Sequence, residues 1–194
     1  NPNNPTGALM EAEALDAFVA IARSCDAFVL CDEVYRGTNQ IGDGFAPAMA
    51  DVYEKGISVA GMSKTFSLAG LRLGWIAAPL DVLEAVSIHR DYNTISVGML
   101  DDYFAAMALE TKDKILARSQ QITRGNLAIL DAWVADEPSM SYVKPKAGTT
   151  ALLKYDFDMP TETFQNGAKY LSKNYVSCVE FCMSKYYVSF LFEL

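Results

Sequence analysis

Hydrophobic positions change rhythm along this chain, and each change marks a predicted element. The opening residues, Asn1-Pro2-Asn3-Asn4-Pro5-Thr6-Gly7, carry no period and only turn chemistry. Helical spacing sets in from about Ala8, with Leu15, Phe18, Val19 and Ala22 on one face. Ala27-Phe28-Val29-Leu30-Cys31 is a continuous apolar run of strand length that stops abruptly at Asp32-Glu33. Runs of that kind suit strands buried on both faces, as in parallel sheets. Residues 57–61 form a second run, ending at Met62-Ser63-Lys64, and residues 73–78 a third, closed by Pro79. Helix, strand, connection, strand and strand in that order predict an α/β class: a mostly parallel sheet flanked by helices.

Residues 80–134 then read as mostly helical, in segments at 80–89, 99–109 and 112–133. Asp136-Glu137-Pro138 breaks the last of these. Lys144-Pro145-Lys146-Ala147-Gly148 follows, and then an apolar strand over 149–153. Two units are expected, a larger one over 1–135 that ends in the long helix and a smaller partial α+β one over 136–194, with that helix bridging them. The chain shows no internal repeat or low-complexity tract. Its first turn is an unusual opening for a domain, and the expectation is a segment of a longer protein.

Composition narrows the function classes. Half of the 194 residues are hydrophobic (51%) and 21% are charged, an ordinary globular balance. The net charge of −8 is spread along the chain, which argues against nucleic acid and against an anionic membrane surface. No apolar run approaches the roughly 20 residues needed to cross a bilayer, and the first residues lack the charged and apolar regions of a signal peptide. A cytoplasmic location is the default expectation. Cys25, Cys31, Cys178 and Cys182 form no disulfide pattern, and His89 is the one histidine available to join them in a metal site. They read as structural thiols, with no metal expected.

Three features sit in turns or at strand ends, where open α/β sheets place ligands: Asn4, Asp32 with Tyr35, and Ser63-Lys64 with Arg72. Singly each has a plainer reading: a helix cap for Asp32, a solvated charge for Lys64, an ion-pair partner for Arg72. Together they form a chemical set. An amine in a partly dehydrated pocket forms a Schiff base with a carbonyl cofactor. A buried carboxylate such as Asp32 favours a protonated ring nitrogen. Arginine offers a phosphate a rigid bidentate fork, while hydroxyls and amides bond phosphate or phenolate oxygens.

These residues carry a resemblance. Asn1-Pro2-Asn3-Asn4-Pro5-Thr6-Gly7 looks like the NPxNPTG turn of fold-type I pyridoxal-phosphate enzymes, specifically the class I/II aminotransferases. Asp32-Glu33-Val34-Tyr35 is similar to their D-E-x-Y strand end, and residues 63–75 to their S-K-x-x-x-x-x-G-x-R-x-G signature. The resemblance covers roughly residues 1–153. It implies transamination between an amino acid and a 2-oxo acid, with pyridoxal 5′-phosphate as cofactor and a homodimer as the working form. It implies Lys64 as the aldimine lysine and proton shuttle, Asp32 as partner of the pyridine nitrogen, and Tyr35 and Asn4 at the phenolic oxygen. Ser63 and Arg72 would bind the phosphate, and residues 90–96 correspond to a loop near the cofactor. Other pyridoxal-phosphate reactions on the same scaffold (lyase, synthase or oxidase) and a non-catalytic sensor domain are the alternatives, as is a degenerate product.

Two departures stand out. The family's entry arm, its first phosphate turn and its ring-stacking aromatic normally precede the NPxNPTG turn and lie outside this chain. The family also places a carboxylate-binding arginine near its C-terminus, whereas no arginine follows Arg124 here. Lys185 offers charge there without the planar fork. Residues 186–194 are nearly all apolar or aromatic, with strong β-propensity.

Overall fold

The computed structural model describes residues 1–156 and the backbone of residues 187–191. Lys185, Cys178 and Cys182 lie outside the described residues.

Two three-stranded sheets organise the chain. Helix α1 (Ala12–Ser24) buries Leu15, Val19 and Ala22 against Met49 and Tyr53, while Phe18, predicted on the same face, stays 44% exposed. The helix stops in a Schellman turn. Asp26 takes the left-handed conformation, Ala27 N donates to Ala22 O, and Asp26 N donates to Arg23 O. Strand β1 (Val29–Asp32) follows, then a long loop, a short helix α2 (Met49–Val52) and strand β2 (Gly56–Gly61). β1 and β2 are parallel, with Asp32 opposite Val59.

β3 (Gly74–Ala77) is antiparallel to β2, pairing Gly74 with Gly61, so the first sheet is mixed, in the order β1-β2-β3. A parallel return needs a crossover, usually a helix packed on the sheet. Here residues 62–73 fold back on themselves through a 3₁₀ turn (Ala69–Leu71), and Met62 N donates to Leu73 O at the loop's neck. The loop is held from below by an apolar cluster: Met62, Ala105 and Ala108, with Phe66, Leu71 and Trp75 packed against them.

Helices α3 (Leu80–Arg90), α4 (Met99–Glu110) and α5 (Lys112–Asp136) come next. α5 ends at Glu137, held extended by the following Pro138. Along its length α5 first meets the long loop after β1: Gln120 donates to Gly37 O and Asp43 O, and Arg124 to Asn39 O and Gly42 O. Further on, Leu130 and Val134 pack on the second sheet. That sheet has the order β4-β5-β6, all antiparallel: β4 (Met140–Tyr142), β5 (Thr150–Tyr155) and β6 (Tyr187–Leu191). Its core is Met140, Ala151, Leu153 and Tyr155.

One buried carboxylate ties the first unit together. Glu33 is 4% exposed, and its Oε1 accepts from Met49 N at 2.7 Å and from Ser58 Oγ at 2.8 Å. Glu33 N in turn donates to Val59 O. The side chain therefore fixes the start of α2 and the middle of β2 from the residue next to Asp32. Glu33→Ala strands both donors and is expected to cost about 2–3 kcal/mol in urea unfolding, with Glu33→Gln losing less.

Candidate active site

Strand direction explains why the three motifs meet. β1 and β2 run parallel, so Asp32 and the loop of Ser63 and Lys64 leave the sheet at the same end. β3 is antiparallel to β2, so Arg72, just before it, lies at that end too. The opening turn joins them through Asn4, whose Nδ2 donates to the Tyr35 hydroxyl. The bonds Asn1–Pro2 and Asn4–Pro5 are cis.

At this edge Tyr35 is buried, 5% exposed, with its hydroxyl accepting from Asn4 Nδ2 at 3.1 Å. Lys64 is half-buried and its Nζ lies 6.0 Å from the centre of the Tyr35 ring, at the outer reach of a cation–π contact. Among the described residues Nζ has no hydrogen-bond or carboxylate partner. Its loop is nevertheless well held: Thr65 Oγ1 donates to Val34 O at 2.9 Å, Ser67 N to Lys64 O, and Leu68 N to Met62 O. Ser67 and Arg72 both take left-handed conformations, at φ 60° and 48°. Strained non-glycine residues of this kind persist only where the surroundings hold them, and they concentrate at functional sites.

Arg72 is exposed, and its Nη1 donates to Ala69 O at 2.8 Å. Ser63 is half-buried in the same loop. Asp32 differs from expectation: it is exposed, because alternation along β1 puts it with Leu30 on a face that no described residue covers. Its Oδ1 accepts from Val34 N at 3.0 Å in an Asx turn, a local capping role, while Oδ2 has no hydrogen bond among the described residues. The structure thus brings Asn4, Tyr35 and Lys64 into one cluster and sets Asp32, Ser63 and Arg72 on the same sheet edge. Residues 91–96 lie in the exposed connection after α3.

The family model for "Aminotransferase class I and II" matches residues 1–157, most of the chain. The chain belongs to that family. Aromatic-amino-acid aminotransferase 2 of Thermococcus litoralis is 34% identical over 152 residues, 75% of this chain and 38% of that protein. Capreomycidine synthase of Streptomyces vinaceus is 26% identical over 155 residues, 79% of this chain and 40% of that protein. Among solved structures, a PLP-dependent aminotransferase from Streptococcus suis superposes with a TM-score of 0.88 at 38% identity, covering 100% of this chain and 51% of that one. This aminotransferase chain therefore spans about half the length of the proteins it matches. The same neighbours carry the α/β fold class.

Membership of the class I and II aminotransferases implies pyridoxal 5′-phosphate as the cofactor. The donor set at the sheet edge suits it chemically. It offers an unpaired amine for a carbonyl carbon, a free carboxylate oxygen for a ring nitrogen, a hydroxyl and amide for a phenolic oxygen, and a hydroxyl and guanidinium for a phosphate. The motifs did not announce Thr65 or Thr38. Both are threonines 2% exposed that bond backbone carbonyls within the Asp32–Tyr35 motif, Thr65 that of Val34 and Thr38 that of Tyr35. Nothing in the sequence marks a buried threonine in an aperiodic loop apart from a solvated one.

Proposed function

We propose that the protein of which this chain is part transfers an amino group from an amino acid to a 2-oxo acid, using pyridoxal phosphate held at Lys64. The observation that carries this reading is the unpaired, half-buried Lys64 amine facing Tyr35, whose hydroxyl is already bonded to Asn4. When bound, the cofactor supplies a carbonyl carbon that condenses with amines and a ring that withdraws electrons from the substrate's α-carbon.

The chain's own residues then have distinct tasks. Lys64 Nζ would be the nucleophile that holds the cofactor, and the same nitrogen would accept and return the substrate's α-proton. Asp32 Oδ2 would hold a proton at the ring nitrogen. Tyr35, oriented by Asn4, would bond the phenolic oxygen. Ser63 and Arg72 would bind the phosphate, with arginine's fork fixing its direction. The exposed apolar side chains Ile88, Tyr92, Ile95, Met99, Leu100 and Tyr103 support a homodimer, since a lone chain rarely leaves so much apolar surface in water. None of the helices among the described residues is long and apolar enough to cross a membrane.

A second reading, a different pyridoxal-phosphate reaction such as a synthase, is favoured by the match to capreomycidine synthase. One experiment separates the two. An amino acid added alone to the holoenzyme gives, for transamination, one equivalent of 2-oxo acid per bound cofactor, loss of the visible absorbance, and then a halt. Continued turnover with no oxo-acid acceptor would favour the second reading.

A further inference from the structure

The Asn4–Tyr35 pair is gripped from behind by a segment that none of the motifs contains. Gly148 N donates to Thr38 Oγ1 at 2.8 Å, and Thr38 Oγ1 donates to Tyr35 O at 2.5 Å. One hydroxyl is thus acceptor and donor at once. Thr38 is 2% exposed, so water does not readily replace either partner. On the other side Thr150 Oγ1 donates to Asn4 Oδ1 at 3.5 Å, and Asn4 Nδ2 donates to the Tyr35 hydroxyl at 3.1 Å. Gln40 secures the same segment twice, its N donating to Lys146 O at 2.9 Å and its Nε2 to Gly148 O at 3.3 Å. Tyr35 is therefore held at its carbonyl through Thr38 and at its hydroxyl through Asn4. Both holders are bonded to the start of β5 or the residues just before it.

We infer that Thr38 is a positioning residue: its hydroxyl sets Tyr35 against Asn4 and carries the placement of Gly148 to the residue whose hydroxyl would face the cofactor. The inference rests on the role given to Tyr35 under the proposed function. It requires a side chain that donates and accepts through one atom. Serine keeps both capacities; valine, of nearly the same shape, has neither.

The test compares Thr38→Val and Thr38→Ser. A hydroxyl donated to the cofactor's phenolic oxygen stabilises negative charge there and so favours the deprotonated form of the adjoining nitrogen. Loosening Tyr35 therefore raises the pH midpoint of the bound cofactor's visible absorbance. In the holoenzyme the midpoint is expected to rise by about half a pH unit or more in Thr38→Val and to return to the unsubstituted value in Thr38→Ser. In the cofactor-free protein the Gly148 amide is expected to exchange about fivefold faster in Thr38→Val and unchanged in Thr38→Ser. An unmoved midpoint in Thr38→Val, or a serine variant displaced as far as the valine one, overturns the inference. If Thr38→Val does not fold, Thr38→Ala is read by the same two measurements. Should the unsubstituted protein take up no cofactor, the proposed function fails on its own. The exchange measurement then still decides the link, and an unchanged Gly148 rate in Thr38→Val overturns it.

Discussion

In Lys64→Ala the visible absorbance of bound pyridoxal phosphate disappears, and amino-group transfer falls by about 10⁴-fold or more, the upper end of what one acid–base group contributes. Two losses combine. The amine is the nucleophile that holds the cofactor, and the same nitrogen moves the α-proton. Its surroundings, among the described residues, include the Tyr35 ring and the Asn4 amide bonded to the Tyr35 hydroxyl, and neither is an amine nucleophile. The fold should survive. Lys64 is only half-buried and its side chain makes no hydrogen bond among the described residues, while its loop is held by Thr65 and by the Met62 cluster beneath it. Melting within about 1 kcal/mol of the unsubstituted protein, with catalysis gone, is the expected pair of results.

Gly7→Ala is expected to have the largest effect on stability. Gly7 has φ +66°, and a Cβ there would stand 2.2 Å from Pro145 Cβ and 2.7 Å from Ala147 O. Neither neighbour is the end of a flexible side chain, so the backbone must move. Gly7 O also accepts from Lys146 N and Ala147 N, so any shift breaks the seam between the opening turn and the segment before β5. Left-handed strain of about 1–2 kcal/mol adds to an overpacking cost of about 1–3 kcal/mol. Gly42→Ala is the internal control: its φ is +68°, but nothing lies within 4 Å of the added carbon. It is expected to show the strain alone. Urea unfolding of both variants gives the comparison, and equal losses would mean that the Pro145 contact contributes nothing.

The grouping of the candidate site residues at one sheet edge was legible in the chain because they fall in motifs of short spacing. Asp32 to Tyr35 and Ser63 to Arg72 each sit within one loop or strand end, so their order along the sequence is nearly their order in space. The long elements were legible too, since α3, α4 and α5 each run for about three turns or more without a proline. What stayed hidden had physical reasons. Apolar runs carry no direction, so the antiparallel β3 could not be told from a parallel strand, and they did not foretell that Phe28 and Leu30 stay exposed. α2 and β4 are too short for any period to register. Phe18 shares the spacing of Leu15 and Val19 yet is left exposed, because the partners of α1, Met49 and Tyr53, cover only part of its apolar face. The links from Thr38 to Gly148 and from Asn4 to Thr150 join residues far apart in sequence, and local pattern carries no trace of them.

The most direct measurement is chemical. The holoenzyme is treated with borohydride, which makes the protein–cofactor linkage permanent, then digested, and the labelled peptide is identified by mass. A single phosphopyridoxyl label on Lys64 is the expected result, with Lys55 and the lysines of the second sheet unlabelled. A label on any other lysine, or none on a protein that demonstrably retains the cofactor, would contradict the assignment of Lys64.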